Sequence, residues 1–116
     1  MLIEKLVIDY LKNTLHLDAV YAEEPDENIT DYIVVEKTGS DREDYINTST
    51  IAIKSYGETL YDAMCLNNEV KTAMDELWLN ENAVSASELN SDYNFSDTKR
   101  HRYRYQAVYD ITHYNF

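Results

Sequence analysis

The sequence predicts one α+β domain, residues 1–116, in which two helices pack on a largely antiparallel sheet of four to five strands. The chain of 116 residues contains only two glycines and one proline, too few for long flexible linkers. Its 44% hydrophobic content is enough to build a core. Two segments with helical periodicity are separated by segments with strand-like alternation, which gives the order α-β-β-β-α-β-β.

The first element is predicted to be an amphipathic helix at about residues 2–15. Its apolar residues follow the spacing of one helix face, and they are Ile3, Leu6, Val7, Tyr10, Leu11 and Leu15. Acidic and basic residues interrupt the same segment. It therefore predicts neither a signal peptide nor a membrane span.

Three strands are expected after this helix. Residues 19–22 form a short one, and an acidic loop around Pro25 follows it. The segment "DYIVVEKT" at 31–38 has apolar residues on both faces, which predicts an interior strand. The polar segment "GSDREDY" at 39–45 is predicted to be a loop, and strand character resumes over 46–55.

The second helix is predicted at about residues 57–79. Ser55 and Glu58 have the S-x-x-E spacing of a capping box before it. Asn67 interrupts its apolar face, and "NEN" at 80–82 is a plausible stop. The apolar face is expected to consist of Leu60, Met64, Val70, Met74, Leu77 and Trp78.

Two long strands, at about 83–94 and 100–113, are expected to close the chain, joined by a turn near "FSDT". One face of the last strand carries Tyr103, Tyr105, Ala107, Tyr109 and Ile111, and the other carries Arg102, Arg104, Gln106, Val108 and Asp110. Basic residues that alternate with aromatic ones also occur in nucleic-acid-binding strands. The favoured interpretation is a tyrosine-rich core face whose opposite side serves as an assembly surface.

Charge is distributed unevenly along the chain. The formal net charge is −12. Residues 1–98 contain six Lys and Arg against 21 Asp and Glu, whereas residues 99–116 contain four against one. An acidic body repels nucleic acid and anionic membranes. A molecule with one acidic and one basic region is also suited to head-to-tail association with copies of itself.

The sequence predicts no enzymatic activity, no cofactor and no metal site. The single cysteine, Cys65, lies beside the apolar face of the second helix and is expected to be a semi-buried structural side chain. The carboxylate clusters "EEPDE" and "SDRED" match no calcium-loop or zinc-ligand spacing and are interpreted as solvated loops.

Three segments make up most of the chain: "YIVVEKTGSDRED", "TIAIKSYGETLYDAMCLNNEVKTAM" and "LNSDYNFSDTKRHRYRYQAVYDITHY". Taken together in this order, they resemble the tail terminator or tail-completion (head–tail joining) proteins of long-tailed phages and Gram-positive prophages. The most specific pieces are "IAIKSYGETLYDA" and "RYRYQAVYDITHY". The resemblance covers nearly the whole chain.

This resemblance implies a structural virion protein without catalysis. It implies a homo-oligomeric ring, typically of six subunits, that caps the major tail tube protein and joins it to the head connector or stopper protein. DNA would only pass through the ring. The implied location is the tail–head junction of the virion, and the host cytoplasm during assembly.

The split charge suggests which residues join neighbouring subunits. We hypothesise that Arg100, Arg102 and Arg104 of one subunit meet acidic residues of the next. The candidate acidic residues are Asp41, Glu43 and Asp44 in the "GSDREDY" segment. The resemblance does not assign these contacts, which follow from charge alone.

Three alternatives stay open from the sequence. An acidic DNA mimic would inhibit a host nucleic-acid enzyme. A single-strand nucleic-acid binder would use residues 99–109, and a head-side stopper or adaptor would occupy another position in the same neck. Competition with duplex DNA for a basic host protein would favour the mimic, and a steep salt dependence of binding would support the single-strand binder. A gene for a major tail protein immediately downstream would favour the tail family.

Overall fold

The computed structural model describes residues 2–25, 29–43, 46–96 and 102–114 of the chain. The predicted α+β class and the order α-β-β-β-α-β-β are confirmed, with a short third helix added. The elements are α1 (Ile3–Leu15), β1 (Val20–Tyr21), β2 (Tyr32–Glu43), β3 (Ile46–Gly57), α2 (Leu60–Asp75), α3 (Leu77–Asn80), β4 (Val84–Asn94) and β5 (Tyr103–Tyr114).

The described strands form a five-stranded sheet in the order β1-β2-β3-β5-β4. All neighbouring pairs are antiparallel except β1 and β2, which are parallel. The final strand therefore lies between β3 and β4, in the interior of the sheet. Because β1 pairs with β2 only at Ile33 and Val34, the rest of β2 runs along one edge.

The main core lies between one face of the sheet and the two longer helices. The predicted apolar stripe of α1 is confirmed, since Ile3, Leu6, Val7, Tyr10 and Leu11 are buried. The sheet contributes alternate residues of its three central strands, and these are Ile33, Val35, Ile51, Ile53, Ala107, Tyr109 and Ile111. The predicted core face of the last strand is confirmed at its last three members, whereas Tyr103 and Tyr105 are half-buried.

The start of α2 differs from the prediction. The capping box at Ser55 and Glu58 is wrong, because Ser55 is still a buried residue of β3. Thr59 is the N-cap instead, and its hydroxyl accepts a hydrogen bond from the Asp62 N–H at 3.1 Å. Gly57 is the last residue of β3 and lies against the new helix, where an added Cβ would lie 2.5 Å from the Ala63 nitrogen.

The end and the buried face of the second helix also differ from the prediction. The predicted single helix over 57–79 is divided into α2 and the one-turn α3. Met64 and Trp78 are exposed, although the periodicity placed both on the apolar face. Ala63, Asn67 and Ala73 are buried in addition to Val70 and Met74. The two alanines have small side chains that suit a helix packed on a sheet, whereas the Asn67 amide donates to Asp92 of β4 at 2.7 Å.

The predicted loop at 39–45 is wrong over the described part of that range. Residues 39–43 continue β2. Each of them pairs with a residue of β3, beginning with Gly39 opposite Thr50 and ending with Glu43 opposite Ile46. Every β2 residue from Glu36 to Glu43 is exposed. This part of the strand is therefore held by backbone pairing rather than by burial, and it makes a long polar hairpin with β3.

The prediction for Cys65 is wrong. Cys65 is exposed rather than semi-buried, because it lies on the outer side of α2.

Among the described residues, none of the helices has the length and apolar character needed to cross a bilayer.

Candidate functional site

The sheet has one face without helices, which we call the open face. It is formed by the alternate residues that point away from the core, including Tyr32, Tyr56 and Arg104. These three stand side by side on neighbouring strands, since Tyr56 pairs with both Tyr32 and Arg104. The side of β5 predicted to carry arginines is thus on the open face.

Two tyrosines form the centre of this surface. The rings of Tyr32 and Tyr56 are stacked with centroids 4.3 Å apart and planes at 12°. Only 5% of Tyr32 and 3% of Tyr56 is exposed, because Ala19, Tyr21 and Ile29 pack against them. Burial raises the pKa of both tyrosines above the usual value. Covered rings are unsuited to stacking on nucleic-acid bases.

Arg104 is held between aromatic side chains. Its guanidinium carbon lies 4.3 Å from the centroid of the Phe95 ring and 5.7 Å from that of Tyr56. Its Nε donates to the Phe95 carbonyl at 2.7 Å, and an Nη donates to the Tyr56 hydroxyl at 2.9 Å. Two of the five N–H groups of the Arg104 guanidinium therefore donate to partners within the chain.

Arg102 lies beside this cluster and is more open to solvent. An Nη lies 3.3 Å from Glu24 Oε1 and 3.4 Å from the Tyr32 hydroxyl. The side chain of Arg102 is 42% exposed and that of Glu24 is 43% exposed. The Tyr56 hydroxyl also donates to the same Glu24 oxygen at 2.9 Å. We call Glu24, Tyr32, Tyr56, Arg102 and Arg104 the tyrosine–arginine cluster.

The acidic candidates lie at the other end of the same face. Asp41 and Glu43 are exposed and pair with Thr48 and Ile46 near the tip of the β2–β3 hairpin. Between Thr48 and Tyr56 the β3 strand advances eight residues, or about 27 Å. The acidic tip is thus too distant to reach the tyrosine–arginine cluster of its own chain.

The predicted interface residues are therefore divided into two groups. Arg102 and Arg104 lie together at one end of the open face, and Asp41 and Glu43 lie together at the other. Arg100 and Asp44 fall outside the described residues. Sequence reasoning missed Glu24, whose acidic loop carries no signal of a partner, and Phe95, which is the first residue of the predicted turn.

A second polar pair lies on the core side of the sheet. His113 is 4% exposed, and its Nε2 lies 2.8 Å from the Ser49 hydroxyl oxygen. Its Nδ1 lies 3.1 Å from the Tyr114 carbonyl, an acceptor, so Nδ1 carries the proton and Nε2 accepts from Ser49. Burial lowers the pKa of His113. Because Ser49 is itself buried, the pair is closed to a substrate.

Metal-binding side chains are not clustered in the part of the chain that the structure describes: no three His, Cys, Asp or Glu residues are placed to share an ion. The sequence matches no protein-family model, and no curated protein is significantly similar to it. The charged open face is the feature whose chemistry points most directly to a partner.

Proposed function

We propose that the protein is a structural subunit of phage or prophage tails, of the tail terminator kind, which forms a ring that caps the tail tube and joins it to the head connector. The observation that carries the proposal is that Arg102 and Arg104 lie at one end of the open face and Asp41 and Glu43 at the other, where the strand register separates Asp41 from Arg104 by about 27 Å. Charges that cannot meet within a chain are available to pair between copies.

Individual contacts of this kind are weak. An exposed ion pair contributes about 0.2–1 kcal/mol, and salt screens it. A closed ring repeats the same contact at every subunit boundary, so no subunit has a free end. We therefore expect assembly to be cooperative and to weaken as ionic strength rises.

The two arginines are expected to contribute unequally. Arg104 is occupied by Phe95 and Tyr56 inside the chain, so we assign it to holding the shape of this end of the sheet. The Arg102 side chain is nearly half exposed, and Glu24, its ion-pair partner, is also exposed. We therefore assign the contact with a neighbouring subunit mainly to Arg102.

The acidic body supports a role around passing DNA. Residues 1–98 carry a formal charge of −15, from six basic and 21 acidic residues. A ring whose lumen is acidic would repel phosphates, and DNA could slide through without binding. This part of the proposal predicts no measurable affinity for duplex DNA at physiological salt.

Charge reversal tests the subunit contact. The variant Arg102→Glu should lose the ring at low salt, as judged by sedimentation velocity and negative-stain electron microscopy. Lys5→Glu is the matched control, because it changes the net charge equally on an exposed site of α1. A ring that survives Arg102→Glu, or one that Lys5→Glu disrupts equally, would contradict the assigned contact.

Binding to the tail tube tests the position in the neck. The proposal predicts that the protein binds the end of tubes assembled from the major tail tube protein and stops their growth. A head-side stopper would instead bind the connector and leave tube growth unchanged. The length distribution of tubes, measured with and without the protein, separates these two outcomes.

A further inference from the structure

The Glu24 carboxylate occupies a small anion-binding site on the open face. Its Oε1 accepts a hydrogen bond from the Tyr56 hydroxyl at 2.9 Å and lies 3.3 Å from an Nη of Arg102. A charged donor and a hydroxyl donor thus converge on one carboxylate oxygen. Hydrogen bonds to a charged acceptor are stronger than those between neutral groups.

Neighbouring side chains hold Tyr56 in a fixed position in this site. Tyr56 is 3% exposed, and its ring is fixed by stacking on Tyr32. Arg104 donates to the Tyr56 hydroxyl oxygen at 2.9 Å, so the hydroxyl proton points away from Arg104 and toward Glu24. Arg104 therefore orients Tyr56 as a donor to whichever carboxylate occupies the site.

The present occupant is held weakly. The side chains of Glu24 and Arg102 are both more than 40% exposed, so water and salt compete for their ion pair. Tyr56 is fixed by Tyr32 and Arg104, whereas Glu24 follows β1 in a connecting segment. Exchange of Glu24 for another carboxylate would leave the Tyr56 hydroxyl in place as a donor.

We propose that this is an exchangeable carboxylate site, which Glu24 fills in the isolated chain and which Asp41 or Glu43 of a second copy fills in the assembly. The inference rests on the proposed function for the identity of the second copy. The chain's own hairpin is about 27 Å away, so it cannot supply this carboxylate. Glu24 acts as an internal competitor that keeps free subunits from associating prematurely.

Removal of the competitor tests the exchange. Glu24→Gln keeps the size of the side chain and removes its charge, so self-association at low salt should tighten by about two- to fivefold. Glu23→Gln is the matched control, because it makes the same change of net charge at the adjacent exposed residue. Sedimentation velocity over a range of concentrations measures both. Association of Glu24→Gln that is weaker than, or equal to, that of Glu23→Gln would overturn the exchange.

A small ligand separates failure of this site from failure of the ring. Succinate, titrated into monomeric protein, should shift the side-chain ¹⁵N resonances of Arg102, and it should bind Glu24→Gln more tightly than the unchanged protein. No binding to either would overturn the site. If the protein binds succinate but stays monomeric at every concentration, the carboxylate site is supported. The claim that a second copy supplies its carboxylate is then overturned. Tighter binding of inorganic phosphate than of succinate would overturn the assignment to carboxylates.

Discussion

Arg104 and Phe95 hold each other through both side chain and backbone. The guanidinium carbon lies 4.3 Å from the Phe95 ring centroid, and the Arg104 Nε donates to the Phe95 carbonyl at 2.7 Å. The Phe95 N–H in turn donates to the Arg104 carbonyl at 2.9 Å. These contacts join the end of β4 to the start of β5, so this arginine has a structural role independent of any partner.

Replacement of Arg104 by lysine should destabilise the fold. Lysine keeps the charge but loses the planar fork that stacks on Phe95 and reaches two acceptors. We expect a loss of about 1–3 kcal/mol in the free energy of unfolding, measured by urea denaturation. Arg102→Lys is the control and should cost less than about 1 kcal/mol, because its contacts are half exposed. Equal losses for the two variants would contradict the structural role of Arg104.

The two glycines should respond differently to alanine. A Cβ at Gly57 would lie 2.5 Å from the Ala63 nitrogen and 2.9 Å from the Asp62 carbonyl carbon. Because backbone must shift, Gly57→Ala should cost about 1–3 kcal/mol. At Gly39, no described heavy atom beyond the chain neighbours lies within 4 Å of such a Cβ. Gly39→Ala should be neutral or stabilising by up to about 1 kcal/mol. Thermal or urea unfolding of both variants measures the difference, and similar stabilities would contradict the close packing at Gly57.

His113 should make stability depend on pH. Burial lowers its pKa in the folded protein, with the nearby charges of Glu4 raising and Lys37 lowering it. Between this lowered value and the unfolded value of about 6.5, the unfolded chain binds more protons. The contribution of His113 is therefore fully present above about pH 6.5 and is lost as the pH falls through the folded pKa.

The variant His113→Gln should remove this pH-dependent step from urea unfolding measured between pH 5 and 8. His16→Asn is the control. His16 is exposed and has a left-handed backbone at φ 53°, which asparagine tolerates. The control should keep the step. A step of the same size in His113→Gln would show that another group causes it.

Asp92 should contribute more to the stability of the fold than its surface position suggests. One carboxylate oxygen accepts from Asn67 Nδ2 at 2.7 Å, and the other lies 2.6 Å from Lys71 Nζ. Since Asn67 is 3% exposed, Asp92→Ala would leave its amide unpaired at the contact of α2 with β4. We expect a loss of about 1–3 kcal/mol in the free energy of unfolding. Asp9→Ala breaks only an exposed pair with Lys5 and should cost less than about 1 kcal/mol.

The sequence was most informative where burial decides structure. The stripe of α1 and the alternation of Ala107, Tyr109 and Ile111 follow directly from the need to bury apolar side chains. The hairpin at 39–43 was missed because its residues are polar and exposed on both sides. Its strand structure comes from pairing with β3, and no periodicity in its own residues reports that pairing.

The candidate site was predicted only in part, for a similar reason. Alternating residues placed Arg102 and Arg104 together on one face, and the structure agrees. The internal partners Glu24 and Phe95 come from other elements and are brought in by the sheet order, which the sequence does not specify. The Ser55–Glu58 spacing predicted the wrong start for the second helix, because β3 continues to Gly57 and Thr59 caps the helix.

The native mass in solution, measured from low to high salt and over a range of protein concentrations, tests the central claim most directly. The proposal predicts a ring of about six chains at low salt that dissociates as salt screens the contacts between subunits. Both charged ends share one face, so two chains could also satisfy each other in a closed two-fold pair. A species of two chains that stays constant as concentration rises would contradict the ring, as would an assembly whose mass is insensitive to salt.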